Sequence, residues 1–315
     1  MKETVGLIGA GLIGVSWAIV FARAGYLVRV YDHNPEVRAQ LIDKLGISLT
    51  NLEAHHLISD AESVLRRVEV MDTFAESIHD VTYIQESVLE RADIKRATYR
   101  AIDAQIAAEI AVGSSSSGIP GSVFTEGLRY AANYLVAHPV NPPHLVPVVE
   151  LVPTPWTSDA TVQRVHVLME AVGQIPVRVN GEVEGFILNR LQGALLREAW
   201  ALFDEGYAST ADIDKTVTYG LGLRWSFMGP FETIDLNAPG GVRDYAERLG
   251  DLYLSIARDR ASPQAWSDDL IGRVEGERRR SLPVDRLAER GEWRDRQLMA
   301  LALYKAQTKN DDTDP

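Results

Sequence analysis

The chain contains no cysteine among its 315 residues, which excludes a disulfide framework, a thiolate zinc site and a cysteine nucleophile. Basic residues are scarce, because 32 lysines and arginines stand against 44 aspartates and glutamates, for a net charge of −12. Such an acidic chain is a poor partner for a nucleic-acid backbone or an anionic membrane surface. No apolar run approaches the length of a membrane span, and no signal-like segment opens the chain. We therefore expect a cytoplasmic enzyme or binding protein, and we predict no bound metal.

The first part of the chain alternates strand-like and helix-like segments. Short apolar runs such as TVGLI, YLVRVYD, VTYIQES and NYLVAHP are mostly separated by helical stretches, as far as IPVRVN. This rhythm predicts an α/β fold with a Rossmann-type doubly wound, mainly parallel sheet. From about Glu184 onward almost every segment indicates helix. We predict a Rossmann domain over residues 1–183, a helical domain over 184–308, and a disordered tail over 309–315.

Three glycines at the spacing G-x-G-x-x-G follow the first strand and open the first helix. This spacing permits a tight turn, lets the backbone approach a pyrophosphate and lets the helix pack closely on the sheet. The residues of this turn that we predict to contact a dinucleotide are Gly9, Gly11, Leu12, Ile13 and Gly14. Asp32 ends the second strand, where its carboxylate can accept hydrogen bonds from a ribose and repel a 2′-phosphate. The prediction is NAD rather than NADP, and the alternatives are a flavin or a turn without a ligand.

A histidine and a glutamate flank the proline-rich stretch HPVNPPHLVPVVE. Glu150 lies in an apolar run, where a carboxylate is costly to bury unless a partner holds it. If the loop folds back on itself, His138 and Glu150 can face each other. The glutamate would then fix the tautomer of the imidazole and raise the basicity of its other nitrogen. A purely structural His–Glu pair is an equally open interpretation of these residues alone.

Two further polar features accompany this pair. The serine cluster in VGSSSSGIPG follows a strand at the carboxyl edge of the predicted sheet, where open α/β folds bind ligands. Asn189, in GFILNRLQGALL, is predicted near the start of the first long helix of the helical domain, facing the domain cleft. The alternatives are a flexible serine turn and an asparagine that bonds to nearby helix backbone.

Several motifs stand in the order found in the 3-hydroxyacyl-CoA dehydrogenase superfamily, which the chain resembles over nearly its whole length. They are GAGLIG, IQESVLERADIK, GSSSSG, AHPVNPP followed by VELV, GFILNRL and GPFET. The similarity is greatest to the λ-crystallin branch, whose members act as L-gulonate 3-dehydrogenase, and carnitine 3-dehydrogenase is also similar. The resemblance implies NAD-dependent oxidation of a 3-hydroxy acid to the 3-keto acid, by a homodimer that forms through residues beyond about 185. The alternatives are a short-chain 3-hydroxyacyl-CoA dehydrogenase, a cofactor-sensing regulator and a structural, crystallin-like protein.

The resemblance also implies roles for individual residues. His138 would be the general base that takes the substrate hydroxyl proton, and Glu150 would orient it. Ser117 and Asn189 would hydrogen-bond the reacting oxygen, with Ser116 as the alternative serine. The residues that match cofactor-binding positions of the family are Glu90, Lys95 and Asn141.

The segment GLGLRWSFMGPFET is longer than its counterpart in the acyl-CoA enzymes and carries Arg224. A free 3-hydroxy acid has a carboxylate near its reacting carbon, whereas a CoA thioester has none. A guanidinium can hold a carboxylate with two parallel hydrogen bonds. We therefore predict that Arg224 binds substrate and that the substrate is a free acid. The alternative for Arg224 is a salt bridge on the surface or between domains.

Overall fold

The computed structural model describes residues 3–262 and 264–308. These residues form two compact units: one comprises the chain up to Arg190 together with the part from Gly291 onward, and the other comprises Leu191–Arg290. The predicted disordered tail lies outside the described residues. No helix in the described ranges is both long and apolar enough to cross a membrane. The cytoplasmic location stays a prediction.

The first unit is built on an eight-stranded sheet. Its strands are β1 (Thr4–Ile8), β2 (Leu27–Tyr31), β3 (Val68–Val70), β4 (Tyr83–Glu86), β5 (Ala111–Ser114), β6 (Tyr134–Pro139), β7 (Val148–Pro153) and β8 (Ile175–Arg178). They lie in the order β3-β2-β1-β4-β5-β6-β7-β8. Only the β6–β7 pair of this sheet is antiparallel, because a short loop cannot make the crossover that parallel neighbours need. The predicted doubly wound, mainly parallel sheet is confirmed.

Helices cover the sheet and continue into the second unit. Those before the second unit are α1 (Leu12–Arg23), α2 (Pro35–Ala39), α3 (Leu41–Ala54), α4 (Ala61–Leu65), α5 (Phe74–Ile78), α6 (Ala92–Asp103), α7 (Ser122–Thr125), α8 (Asp159–Ala171) and the start of α9 (Leu188–Asp204). A short 3₁₀ turn occupies Ala131–Asn133. The sequence from Pro35 predicts one long helix, but the chain is interrupted at Gln40. The interruption has a packing reason: α2 buries no residue, whereas α3 turns Leu41, Leu45 and Leu49 inward.

The core of the first unit lies on the two faces of its sheet. On one face, α1 packs against β1, β2 and α3 and buries most of its residues, with Trp17 and Phe21 completely enclosed. On the other face, Tyr99 of α6 packs against Phe124 and Tyr134. The last helix, α15 (Leu287–Thr308), places Met299 in the first of these clusters. These contacts fix the strand ends from which the candidate site is built.

The second unit is helical, as predicted. It contains the rest of α9 and α10 (Thr210–Thr216), a π-helical turn (Val217–Leu221), α11 (Gly222–Trp225), α12 (Pro230–Leu236), α13 (Gly241–Asp259), α14 (Asp268–Ser281) and a 3₁₀ turn (Val284–Arg286). Many of its large apolar side chains are exposed. Tyr207, Tyr219, Phe227, Phe231 and Leu236 are between 67% and 79% exposed. Helices α9, α10, α11 and α13 contain no buried residue.

Candidate active site

The glycine turn between β1 and α1 is shaped for close approach by a ligand. Gly9 has φ +101°, and a Cβ on it would lie 2.5 Å from the carbonyl oxygen of Ser87. A Cβ on Gly14 would lie 2.0 Å from the carbonyl oxygen of Gly9, whereas one on Gly11 would meet nothing within 4 Å. Helix α1 begins at Leu12 without a side-chain cap or an acidic residue in its first turn. Its N-terminal N–H groups can therefore bind a pyrophosphate.

Asp32 is held at the end of β2 beside this turn. Its Oδ2 accepts a hydrogen bond of 2.8 Å from the backbone N–H of Ala10, and its Oδ1 accepts one of 2.9 Å from Asn34. Arg38 donates to the backbone carbonyl of Asp32 at 2.7 Å and lies over the ring of Tyr31. The turn and the fixed carboxylate together fit a dinucleotide whose adenosine ribose lies at the end of β2.

His138 and Glu150 meet as predicted. They are opposite residues in the antiparallel β6–β7 pair, and the Nδ1 atom of His138 lies 2.8 Å from the Oε2 atom of Glu150. Both side chains are buried, with Glu150 only 1% exposed. Because the carboxylate accepts a hydrogen bond from the Nδ1–H group, the Nε2 atom carries the free lone pair of the neutral imidazole. The ring of Phe186 lies 5.6 Å from the imidazole, centroid to centroid.

The other oxygen of Glu150 is held by backbone. Its Oε1 accepts hydrogen bonds from the N–H groups of Ile187 at 2.8 Å and Leu188 at 3.0 Å, where α9 begins. Burial by itself would raise the pKa of Glu150, but the hydrogen bonds from His138, Leu188 and Ile187 outweigh burial and hold that pKa below its usual value. Glu150 is therefore an anion with both oxygens satisfied, which explains a carboxylate in an apolar strand.

A left-handed turn brings these backbone donors to Glu150. Gly185 has φ +76° and Phe186 has φ +51°, so two successive residues adopt the conformation that reverses the chain before α9. Phe186 is completely buried, and this burial fixes the turn against His138. The sequence prediction included neither Phe186 nor the N–H groups that follow it. The glycine of GFILNRL was the available signal for such a turn.

The two candidate serines, Ser116 and Ser117, differ in their surroundings within the loop 115–119, which we call the serine loop. Ser116 is completely buried, and its hydroxyl lies 2.8 Å from the Oε1 atom of Glu90 and 2.7 Å from the carbonyl oxygen of Ile119. Ser117 is exposed. Its backbone carbonyl accepts a hydrogen bond of 2.8 Å from the Nδ2 atom of Asn189. The structure thus brings together Glu90, the serine loop and Asn189.

Glu90 acts as the anchor of this loop. Its Oε1 also accepts hydrogen bonds from the backbone N–H groups of Ser117 at 2.9 Å, Gly118 at 3.0 Å and Ile119 at 3.3 Å. Partial burial would raise the pKa of Glu90, but the Ser116 hydroxyl, the loop N–H groups and the Lys95 ammonium together hold that pKa below its usual value. The carboxylate therefore fixes the backbone on either side of Ser117.

Lys95 lies beneath the loop rather than at its surface. Its Nζ is 2.9 and 3.1 Å from the two carboxylate oxygens of Glu86, 3.4 Å from Glu90 and 3.4 Å from the hydroxyl of Ser114. Lys95 and Glu86 are both 0% exposed. The sequence prediction did not include Glu86, although an acid at the end of an apolar strand was the available signal. Asn141 is exposed in the β6–β7 loop, immediately before the cis proline Pro142.

Arg224 belongs to the other unit. It lies in α11 and is exposed. Among the residues described for that unit, no carboxylate forms an ion pair with its guanidinium, so the surface salt bridge weighed above is not seen there. Its role in substrate binding stays a prediction.

Two family models cover most of the chain. Residues 4–183 match the 3-hydroxyacyl-CoA dehydrogenase, NAD binding domain, and residues 185–278 match the 3-hydroxyacyl-CoA dehydrogenase, C-terminal domain. The chain belongs to the 3-hydroxyacyl-CoA dehydrogenase family. It is an NAD-dependent oxidoreductase of this family, so the predicted cofactor is confirmed.

Individual relatives agree with the family match. Lambda-crystallin of Oryctolagus cuniculus is 39% identical over 307 residues, which covers 96% of each chain. The L-carnitine dehydrogenase of Oceanobacillus iheyensis is 35% identical over 275 residues, 87% of this chain and 88% of the relative. Among solved structures, an NAD⁺-dependent 5-formyl-3-hydroxy-2-methylpyridine 4-carboxylic acid 5-dehydrogenase is 27% identical, with a TM-score of 0.78 over 96% of this chain and 98% of the other. The predicted resemblance to the λ-crystallin branch is confirmed.

Proposed function

We propose that this dehydrogenase oxidises a free 3-hydroxy acid, such as L-gulonate, to the 3-keto acid. The observation that carries the proposal is the buried His138–Glu150 pair at the carboxyl end of β6. A histidine whose Nδ1 is held by a carboxylate presents a basic Nε2, which is what removal of a hydroxyl proton requires. A member of the family with only a structural role would have no use for this oriented base.

In the proposed mechanism, the glycine turn and Asp32 would hold NAD, which would supply the hydride acceptor for oxidation of the substrate carbon. The Nε2 atom of His138 takes the proton of the substrate hydroxyl, and the anionic Glu150 stabilises the imidazolium that forms. Glu150 needs no rearrangement for this, because its two oxygens are already held by His138 and by the start of α9.

The serine loop supplies the second part of the proposed site. The hydroxyl of Ser117 would donate to the reacting oxygen, whereas the hydroxyl of Ser116 is already used inside the loop. Asn189 would support the same oxygen while its Nδ2 holds the carbonyl of Ser117. Glu90, Lys95 and Asn141 would lie on the cofactor side, with Glu90 and Lys95 acting mainly through the shape of the loop.

Two observations support a free acid rather than a thioester. Arg224 is exposed and has no carboxylate partner among the described residues of its unit, so its guanidinium is available to bind a substrate carboxylate. One relative over most of the chain is an L-carnitine dehydrogenase, and carnitine is a free 3-hydroxy acid. The second candidate function, oxidation of a 3-hydroxyacyl-CoA, is favoured by the description of the matching family models.

A second copy of this chain is the partner we propose for the helical unit. Aromatic and aliphatic side chains such as Tyr219, Phe231 and Leu236 are mainly in solvent in a single chain. Burying them against an identical surface would remove this apolar area from water. The proposed assembly is therefore a homodimer formed mainly by residues beyond about 185.

A side-by-side assay tests the proposed substrate class. NAD reduction is followed with L-gulonate, carnitine, 3-hydroxybutyrate and 3-hydroxybutyryl-CoA at equal enzyme concentration. We expect the highest kcat/KM with one of the free acids. A kcat/KM for the thioester that exceeds all three free acids would contradict the proposal and favour the acyl-CoA function.

A further inference from the structure

A partly buried hydrogen-bond network meets at the hydroxyl of Ser115. Its Oγ lies 3.1 Å from the indole Nε1 of Trp17, 2.8 Å from the Nε2 atom of Gln85 and 2.9 Å from the Oγ atom of Ser87. The indole nitrogen can only donate a hydrogen bond. The donor and acceptor roles in the contacts of Ser115 with Gln85 and Ser87 determine where the hydroxyl protons of Ser115 and Ser87 point.

The amide of Gln85 is oriented by its other contacts. Its Oε1 accepts a hydrogen bond from the hydroxyl of Tyr83, and its Nε2 also lies 3.2 Å from the backbone carbonyl oxygen of Ala137. A carbonyl can only accept, so the nitrogen must be the amide atom that faces both Ala137 and Ser115. Gln85 is 0% exposed, and its side chain is therefore confined to this arrangement.

The proton of Ser115 has one remaining acceptor. Trp17 and Gln85 both donate to Ser115, so they use both lone pairs of its oxygen. Ser115 must then donate its own proton to the hydroxyl of Ser87. As a consequence, the proton of Ser87 points away from Ser115. Among the residues that the structure describes, no other acceptor lies within hydrogen-bond distance of the Ser87 hydroxyl.

Ser87 lies at the crevice where the cofactor is expected to bind. It directly follows β4, its backbone N–H donates to the carbonyl of Ile8 at 2.7 Å, and its own carbonyl touches the position of a Cβ on Gly9. The order of the strands reverses between β1 and β4, and open α/β sheets bind their ligands at such a reversal. Asp32 directly follows β2, on the opposite side of β1, and so would face the adenosine half of the cofactor.

We propose that Ser87 is a cofactor-binding residue whose hydroxyl donates to an oxygen of the ribose in the nicotinamide half of NAD. The network of Trp17, Gln85 and Ser115 sets the direction of this donor before the cofactor arrives. Such preorganisation lowers the cost of ordering a hydroxyl on binding. The side chain of Ser87 is partly accessible, as a residue that contacts a ligand must be.

Ligand titrations without any substrate test this assignment. Isothermal titration calorimetry would compare NAD, ADP-ribose and ADP, of which only NAD and ADP-ribose contain the second ribose. For Ser87→Ala we expect the Kd of NAD and ADP-ribose to rise about three- to tenfold, as for the loss of one hydrogen bond. The Kd of ADP should stay within about twofold, and the Tm of the cofactor-free protein should fall less than in Ser115→Ala, because only the hydrogen bond from Ser115 is lost.

Ser115→Ala is the matched control. It removes the acceptor of Trp17 and Gln85 and the donor that orients Ser87, so we expect a lower Tm. The hydroxyl of Ser87 remains able to bind ADP-ribose, so the Kd of ADP-ribose should rise less than in Ser87→Ala. An unchanged Kd of NAD in Ser87→Ala would overturn the proposal. Equal weakening of all three ligands in both variants would also overturn it, because the hydroxyl would then act only through the fold. Since no substrate is present, neither result depends on the proposed 3-hydroxy acid.

Discussion

His138 and Glu150 are direct cross-strand partners in the antiparallel β6–β7 pair, which places their side chains on the same face of the sheet. The 2.8 Å contact between them is therefore set by strand register and does not depend on a mobile loop. A one-residue slip of β7 against β6 would place Glu150 and His138 on opposite faces and break this contact, so the register and the chemistry are linked.

Replacing His138 tests the proposed base. His138→Asn should lower kcat by about a hundredfold or more, because the imidazole that would take the hydroxyl proton is lost. The Kd of NAD should stay nearly unchanged. His79→Asn is the control, because this side chain is 73% exposed and outside the proposed site. Wild-type turnover in His138→Asn would contradict the assignment.

Replacing Asp32 tests the preference for NAD over NADP. Asp32→Ala should weaken NAD binding, because the side chain that would accept from the adenosine ribose is lost. The preference over NADP should narrow, since the repulsion of a 2′-phosphate disappears and Arg38 lies beside the same strand end. Titration of the wild type and the variant with both cofactors gives the ratio of the Kd of NADP to the Kd of NAD for each protein. Equal affinity of the wild type for NAD and NADP would show that Asp32 does not set the preference.

Replacing Arg224 tests the proposed substrate carboxylate. Arg224→Met should lower kcat/KM for free 3-hydroxy acids by roughly thirtyfold to a thousandfold, or about 2 to 4 kcal/mol, if a bidentate contact is lost. Any activity on a thioester should remain. Arg224→Lys should recover only part of the loss, because an ammonium cannot form two parallel hydrogen bonds. Unchanged free-acid kinetics in Arg224→Met would remove this residue from the site.

His144 predicts a loss of stability in acid. Burial, assisted by the nearby Arg23 and opposed by Asp295, lowers the pKa of His144 from 6.5 to about 4. Between these values the unfolded chain binds a proton that the folded chain does not, so stability falls as the pH decreases from about 6.5 to about 4. The full effect on the free energy of unfolding is about 3 kcal/mol. Urea unfolding at several pH values gives the free energy of unfolding as a function of pH. Between about pH 4 and 6.5, this free energy should change less with pH in His144→Gln than in the wild type. The variant His79→Gln, at an exposed position, should keep the pH dependence of the wild type.

From the exposed apolar side chains of the helical unit we predict that the protein is a dimer in solution. Light scattering at micromolar concentration should give twice the 34.8 kDa of one chain, because a dimer would cover exposed side chains such as Tyr219 and Phe231. A mass of a single chain under these conditions would contradict the proposed homodimer.

The fold could be predicted where its signals are local. The glycine spacing, the acid at the end of β2 and the alternation of strands and helices each depend on a few neighbouring residues. The interruption at Gln40 could not be predicted, because it depends on how α3 packs its leucines against the core. Tertiary packing therefore sets the boundary between α2 and α3, although the residue pattern favours one continuous helix.

The candidate site was predictable to the extent that it depends on side-chain type. His138 and Glu150 were visible as polar residues in apolar surroundings. The partners of the second oxygen of Glu150 were not visible. They are the backbone N–H groups of Ile187 and Leu188, and because every residue except proline has such a group, it has no sequence signature. The buried pair of Glu86 and Lys95 was missed for a related reason: its two members come together only when α6 packs beside β4.

The hydrogen bonds of Glu150 have a consequence for how the two halves of such enzymes could be exchanged. The match to the NAD binding domain ends at residue 183, yet the backbone donors that hold Glu150 come from residues 187 and 188, inside the match to the C-terminal domain. A nucleotide half cut at that boundary would keep its glycine turn and Asp32 but lose part of the support of its base. The segment that supports the proposed base is therefore longer than the region that matches the NAD binding domain. A chimera that joins two relatives at residue 183 must take a compatible left-handed turn from the relative that supplies the C-terminal half.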